Sequence, residues 1–171
     1  MSLLFGVLLL LQGWQMPAAL ASRFNQFAVD EVFHGKPAAP MLARPEERRF
    51  RTMIRLGAKE GPNFAGHYTV AEWGCGTECF QAVIVDAKTG KIYKPPTVDK
   101  NSGYSFESTW LHYRLDSRLL VACVNCRTFA DRGCEQRHFV WERDHFAEIS
   151  REPRLDPHDH ISRKPSTGKV Q

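Results

Sequence analysis

An α+β fold dominated by β is the class this sequence predicts: an antiparallel hairpin meander, in an open or barrel-like curved sheet, with one N-terminal helix packed on it. Three observations carry it. Apolar segments occur in pairs across short turn sequences through the second half of the 171-residue chain. Only one clear stretch carries helical periodicity. The part after the N-terminal apolar run has the length of a single domain, enough to bury a core without relying on disulfides.

The helix comes first. Pro45 suits a first helical turn, and Glu46 and Glu47 favour the positive end of the helix dipole. Phe50, Met53, Ile54 and Gly57 then recur at i, i+3, i+4 and i+7, which predicts one apolar face, with Gly57 or Gly61 as the stop. Arg44, Arg48, Arg51 and Arg55 fall on another face, read as a solvated basic surface rather than a docking stripe for an acidic partner.

Strands follow. Residues 67–74 form the first and residues 80–86 the second, apolar enough to be central. The motif Asp86-Ala-Lys-Thr-Gly90 is a hairpin loop with glycine at the left-handed position, returning through residues 91–94 to Pro95 and Pro96. Residues 97–103 are loop. Residues 110–115 and 118–125 pair across Asp116 and Ser117, and residues 136–142 and 146–150 across Arg143 and Asp144. Successive hairpins make a meander. The turns resemble those of propeller blades, but a blade takes roughly 40–45 residues and the chain is too short for a closed ring.

The two ends set the organisation. Leu3 to Leu11 is an uncharged apolar run, too short for the roughly 20 residues a bilayer span needs. Ala19-Leu20-Ala21 follows as an A-x-A cleavage pattern. Residues 1–21 therefore read as a secretory signal peptide cut after Ala21, with no cysteine for lipid attachment and no stable membrane anchor after cleavage. A periplasmic or secreted location follows. Residues 22–150 form the single domain, opening on a mixed approach segment over residues 22–40. Residues 151–171, rich in charge and proline, read as a disordered tail. The net charge of +4 permits attraction to anionic envelope polymers. No nucleic-acid or cofactor motif is present, and no cofactor is expected.

All five cysteines lie after residue 21, and in an oxidising compartment most should pair. Cys75 and Cys79 flank a turn that Gly74 and Gly76 allow to bend, which predicts a disulfide between them. Cys123 and Cys126, if extended, stand roughly 10 Å apart, too far to bridge. Cys126 with Cys134 instead closes the loop between two paired strands, leaving Cys123 as a buried thiol. A redox reading of the Cys123/Cys126 pair lacks the helix-start setting such motifs use. A thiol enzyme at Cys75 would need a base, and His67 lies roughly 26 Å away along an extended strand. His158 and His160 in the tail are two ligands, short of a closed metal site. His67, His112, His138 and His145 are read as sheet or core histidines. Glu72, Glu78, Asp86 and Asp116 form no fixed catalytic pair. Trp73, Trp110, Trp141, Tyr68, Tyr93 and Tyr113 are read as core or cross-strand partners.

The most distinctive stretch is Gly61-Pro-Asn-Phe-Ala-Gly-His-Tyr68 followed by Trp73-Gly-Cys-Gly-Thr-Glu-Cys79. With the Asp-x-x-Thr-Gly hairpin and the late Asp-Ser-Arg-Leu-Leu strand, the chain resembles a group of uncharacterised bacterial secreted proteins over residues 61–149. The resemblance implies a periplasmic or secreted domain and brings no activity. The candidate site is the Gly-rich loop, with Trp73, Gly74, Gly76, Thr77, Glu78 and His67 as its residues. The expected function is a non-enzymatic binding or inhibitory module that shows this disulfide-pinned loop to an envelope protein or cell-wall glycan. The competing reading is a thiol-dependent enzyme or redox protein using Cys75 or Cys123 with Cys126.

Overall fold

The structure, a computed structural model, describes residues 18–76, 79–96, 105–107, 110–124 and 135–153. The strands are those of the meander: β1 (Tyr68–Gly76), β2 (Cys79–Asp86), β3 (Ile92–Tyr93), β4 (Ser105–Glu107), β5 (Trp110–Tyr113), β6 (Leu119–Val124), β7 (Glu135–Glu142) and β8 (His145–Pro153). All pairings are antiparallel. They divide into two open four-stranded sheets rather than one curved sheet. In the first, β2 pairs with β1 on one side and with β3 and β4 on the other; the second runs β5-β6-β7-β8.

The division follows from what each strand buries. Every residue of β2 from Gln81 to Asp86 is buried, which one covered face cannot achieve. Tyr68, Val70, Ala82 and Ile84 on one face of the first sheet meet Leu120, Ala122, Phe139 and Trp141 of the second. The alternate residues Ala71, Trp73, Val83 and Val85 point the other way, onto a helix.

That helix is the one anticipated from Pro45, broken in two. α2 (Pro45–Arg49) and α3 (Arg51–Lys59) meet at Phe50, whose φ of −100° and ψ of 18° interrupt the coil. Ile54 and Ala58 are buried, with Gly57 so close to the sheet that a Cβ would stand 2.4 Å from that of Ala71. Met53 does not share the apolar face: it is 41% exposed, and Ile54 and Ala58 carry the contact instead. Arg44 also leaves the solvated stripe. It precedes α2, donating from its backbone N and its Nε to the buried Glu47 carboxylate and from Nη2 to Ile92 O at 2.9 Å. It thereby ties the helix start to β3.

A further helix, α1 (Ala18–Gln26), stands where the sequence suggested the end of a signal peptide and the start of an approach segment. Phe24, with Leu20 and Phe27, covers Leu119, Val121 and Val140 on the outer face of the second sheet. The expected cleavage point after Ala21 falls inside this helix, and Phe24 lies beyond it. The chain is thus layered helix, sheet, sheet, helix. Residues 28–43 strap the layers together through Val29 N to Asp116 O, Phe33 N to Gly66 O, Ala38 N to Ala87 O and Met41 N to Gly90 O. Gly90 is at φ +79° as the hairpin required, with Ala39 O packed where a Cβ would stand.

One strand is unanticipated and one runs well past its expected end, while the other strands keep within two residues of their expected bounds. β4 was not anticipated; its three residues pair with Cys79, Phe80 and Gln81. β8 runs to Pro153, so Arg151, Glu152 and Pro153 belong to the sheet and not to the tail. Main-chain pairing with β7 needs no apolar side chains, and a charged edge strand hides the hydrophobic signal that sequence reading relies on. The rest of the expected tail, and the signal peptide before Ala18, lie outside the described residues. No described helix is long and apolar enough to cross a membrane.

Candidate functional site

The glycine-rich segment is the far end of the β1–β2 hairpin. The strands pair from Tyr68 with Asp86 up to Gly74 with Phe80, slip at Cys75, and close with Gly76 opposite Cys79. Only Thr77 and Glu78 separate the strands; both lie outside the described residues, as do the side chains of Cys75, Gly76 and Cys79. The slip is a bulge, which twists a strand end and re-aims what it carries.

Tyr68 packs on Trp141 at 5.0 Å near the β7–β8 turn, so the start of β1 lies over the end of β7. Four residues on, Glu72 accepts from Tyr113 of β5, so β1 crosses the second sheet from β7 toward its β5 edge; on β6 and β7, Cys123 pairs with Gln136 and Val124 with Glu135. The pairing of β6 with β7 is the one invoked for a Cys126–Cys134 staple. Cys126 and Cys134, and both expected disulfides, lie outside the described residues.

The remaining candidates scatter. Trp73 faces α3: its ring lies 5.5 Å from that of Phe50 and its Nε1 donates to Gln81 Oε1 at 2.7 Å. It is 6% exposed and belongs to the core. His67 precedes β1 at the opposite end, roughly 23 Å from Gly74 at strand rise. There it lines a cleft of about 450 Å³ with Glu31, Lys88 and Arg118. Its ring stacks 4.1 Å from Tyr68, and Asp86 Oδ1 stands 4.0 Å from Nε2. Burial pushes its pKa below the ordinary value, against the pull of Asp86. Asp86 is already held by the turn, accepting from Lys88 N and Thr89 Oγ1.

Gly74 is the one described loop candidate left open. It is exposed, and no atom lies within 4 Å of where a Cβ would stand. Beside it are two residues that sequence reasoning missed. Phe80, its cross-strand partner, is 44% exposed. Glu72, two positions back on the same face, accepts from the Tyr113 hydroxyl at 2.9 Å. Partial desolvation raises the Glu72 carboxyl above its usual range, and the Tyr113 hydroxyl opposes this. Burial, then the adjacent carboxylate, raise Tyr113. The available signal was period two: Tyr68, Val70, Glu72 and Gly74 share a face, and Glu72 is the charged residue where that face leaves the core.

A larger groove of about 860 Å³ is lined by Arg44 and Glu47, by Ile92 and Tyr93 of β3, and by Trp141 and Phe146 of β7 and β8. Its aromatic floor joins Tyr93 to Trp141 and Trp141 to Phe146 at 5.0 and 4.7 Å. The Trp141 indole N–H is buried without a hydrogen-bond partner among the described residues. Charges here cancel locally, as in the Arg137–Glu148 pair between β7 and β8.

One pair has the outline of a nucleophile and base: Ser150 Oγ lies 3.0 Å from His138 Nδ1. The other ring nitrogen faces Arg23 Nη1 at 3.3 Å. Guanidinium only donates, so Nε2 accepts and Nδ1 carries the proton. Nδ1–H then donates to Ser150 and cannot remove its proton. The described residues contain no group of three metal-binding side chains. The chain matches no protein-family profile, no curated protein and no solved structure.

Proposed function

We propose that this chain is an exported, non-enzymatic binding or inhibitory module that presents the Gly-rich end of the β1–β2 hairpin to an envelope protein. The observation that supports the reading is the open surface at Gly74, flanked by exposed Phe80 and Glu72 on one face of a doubly packed hairpin. A strand end buried on both faces along its length positions such a surface rigidly, and exposed aromatic rings carry contact energy. The expected staple between Cys75 and Cys79 would hold the turn in the same register.

The test is partner capture by cross-linking from the envelope fraction, comparing the chain with variants in which Gly76, Thr77 and Glu78 are replaced together or Phe80 is changed to Ser. Selective loss of one captured protein in both variants supports the reading. An identical capture profile, or recovery of glycan with no protein, overturns it.

A further inference from the structure

The backbone of β1 alternates in direction, and its outward groups can be followed one pair at a time. Tyr68 exchanges both main-chain bonds with Phe64, each 2.9 Å, on the side away from β2. Val70 is next outward. Its N–H donates to Asn63 Oδ1 at 2.7 Å and its C=O accepts from Asn63 Nδ2 at 3.0 Å, so a side-chain amide takes the place of a neighbouring strand. The same period turns the N–H and C=O of Glu72 and Gly74 outward. No described residue bonds those four groups. Asn63 ends the blocked stretch, and both residues beyond it are exposed.

We infer that the outer edge of β1 at Glu72 and Gly74 seats an extended peptide segment of a partner protein as an added strand, with a bulky apolar residue opposite Gly74 and a lysine or arginine two positions away, opposite Glu72. The inference rests on reading the hairpin end as the binding end, and names what binds there. Strand addition draws affinity from main-chain bonds and specificity from alternate side-chain pockets. Gly74 leaves the space a side chain of the added strand would enter, with the exposed Phe80 ring beside it. The Glu72 carboxylate lies on the same face and selects a cation. A second copy of this chain is a poor occupant. Two outward residues offer four main-chain bonds, and a contact so short falls below the roughly 1,000 Å² a stable protein interface buries. A linear peptide has no such requirement.

The experiment selects peptides from a random linear library on the purified full chain, then measures the affinity of a selected peptide. Expected are sequences with an aromatic or large aliphatic residue at i and lysine or arginine at i+2 or i−2. N-methylation of alternate peptide amides should abolish binding at every second position only, since those amides face β1; this needs no change to the protein. Gly74→Pro, which removes an outward N–H and leaves the β1–β2 ladder intact, should weaken binding roughly tenfold or more. Failure to select any peptide, N-methylation effects without alternation, or concentration-dependent dimerisation lost in Gly74→Pro would each overturn the inference. If Gly74→Pro captures envelope protein normally while replacement of residues 76–78 abolishes capture, the edge is wrong and the hairpin-end reading stands.

Discussion

Arg23 of α1 donates from Nη1 to Nε2 of His138 on β7 at 3.3 Å, and the same guanidinium pairs with Glu152 of β8 at 2.7 Å. One side chain thus ties the N-terminal helix to two strands of the second sheet and fixes the tautomer of a buried imidazole.

Acid should loosen this arrangement. Burial, and then the Arg23 charge, lower the His138 pKa, with Glu152 opposing. A histidine whose folded pKa is depressed stabilises the fold above its unfolded value, about 6.5, and that contribution is lost as pH falls toward the folded value. Melting temperature should therefore fall below pH 6.5. In His138→Gln the slope should be flatter, leaving the part due to His67, which is depressed in the same direction. Equal slopes in thermal melts from pH 5 to 8 would exclude His138 as the source.

Helix α1 should be held by residues beyond the expected cleavage point. Phe24 is fully buried, so Phe24→Ala should cost about 3–5 kcal/mol in urea unfolding. Leu20 is only partly buried. A chain beginning at Ser22 should thus unfold within about 1 kcal/mol of one retaining Leu20, roughly the value of a partly exposed side chain. A larger loss would make residues 18–21 part of the folded unit.

Glycines should divide by conformation. Gly66 and Gly90 both sit at φ +79°, with carbonyl oxygens of Glu31 and Ala39 at 2.4 and 2.1 Å from an added Cβ. Alanine at either should cost more than about 1 kcal/mol, from strain and displacement of the strap. Gly74→Ala, into open space, should stay within roughly 0.5 kcal/mol of the parent. Denaturant midpoints for the three variants check the order.

Asn63→Ala should uncover Val70. Losing two part-buried bonds at the strand edge should cost about 1–2 kcal/mol. It should also lengthen the open edge from two outward residues to three, so that selected peptides bind tighter and the variant self-associates more readily in sedimentation velocity. Destabilisation without change in either association property would mean Asn63 serves the loop alone.

The strands were legible because period two and turn chemistry are local. The Asp86–Gly90 loop declares itself by a carboxylate that bonds Lys88 N and Thr89 Oγ1, and by a glycine at positive φ. β4 and the end of β8 escaped detection because edge pairing uses backbone, which every residue has. Helix α1 was hidden inside a segment whose apolar character already had an explanation as an export signal.

The candidate site divides in the same way. Composition alone marked the residues from Gly74 to Glu78 as unusual, and the spacing of Gly74 and Gly76 as a place where the chain bends. Which neighbours they receive was decided by tertiary structure: Trp73 is turned into the α3 core, His67 stands at the other end of the hairpin, and Glu72 and Phe80 take their places beside Gly74. Sequence determined the antiparallel, β-dominated class and the hairpin registers, since both depend on side-chain alternation and turns within a few residues. The split into two sheets, the helix on each outer face and the open edge of β1 depend on contacts between residues far apart in the chain. Asn63 caps that edge because a loop folds back on the strand that follows it, and no local pattern encodes where that cap ends.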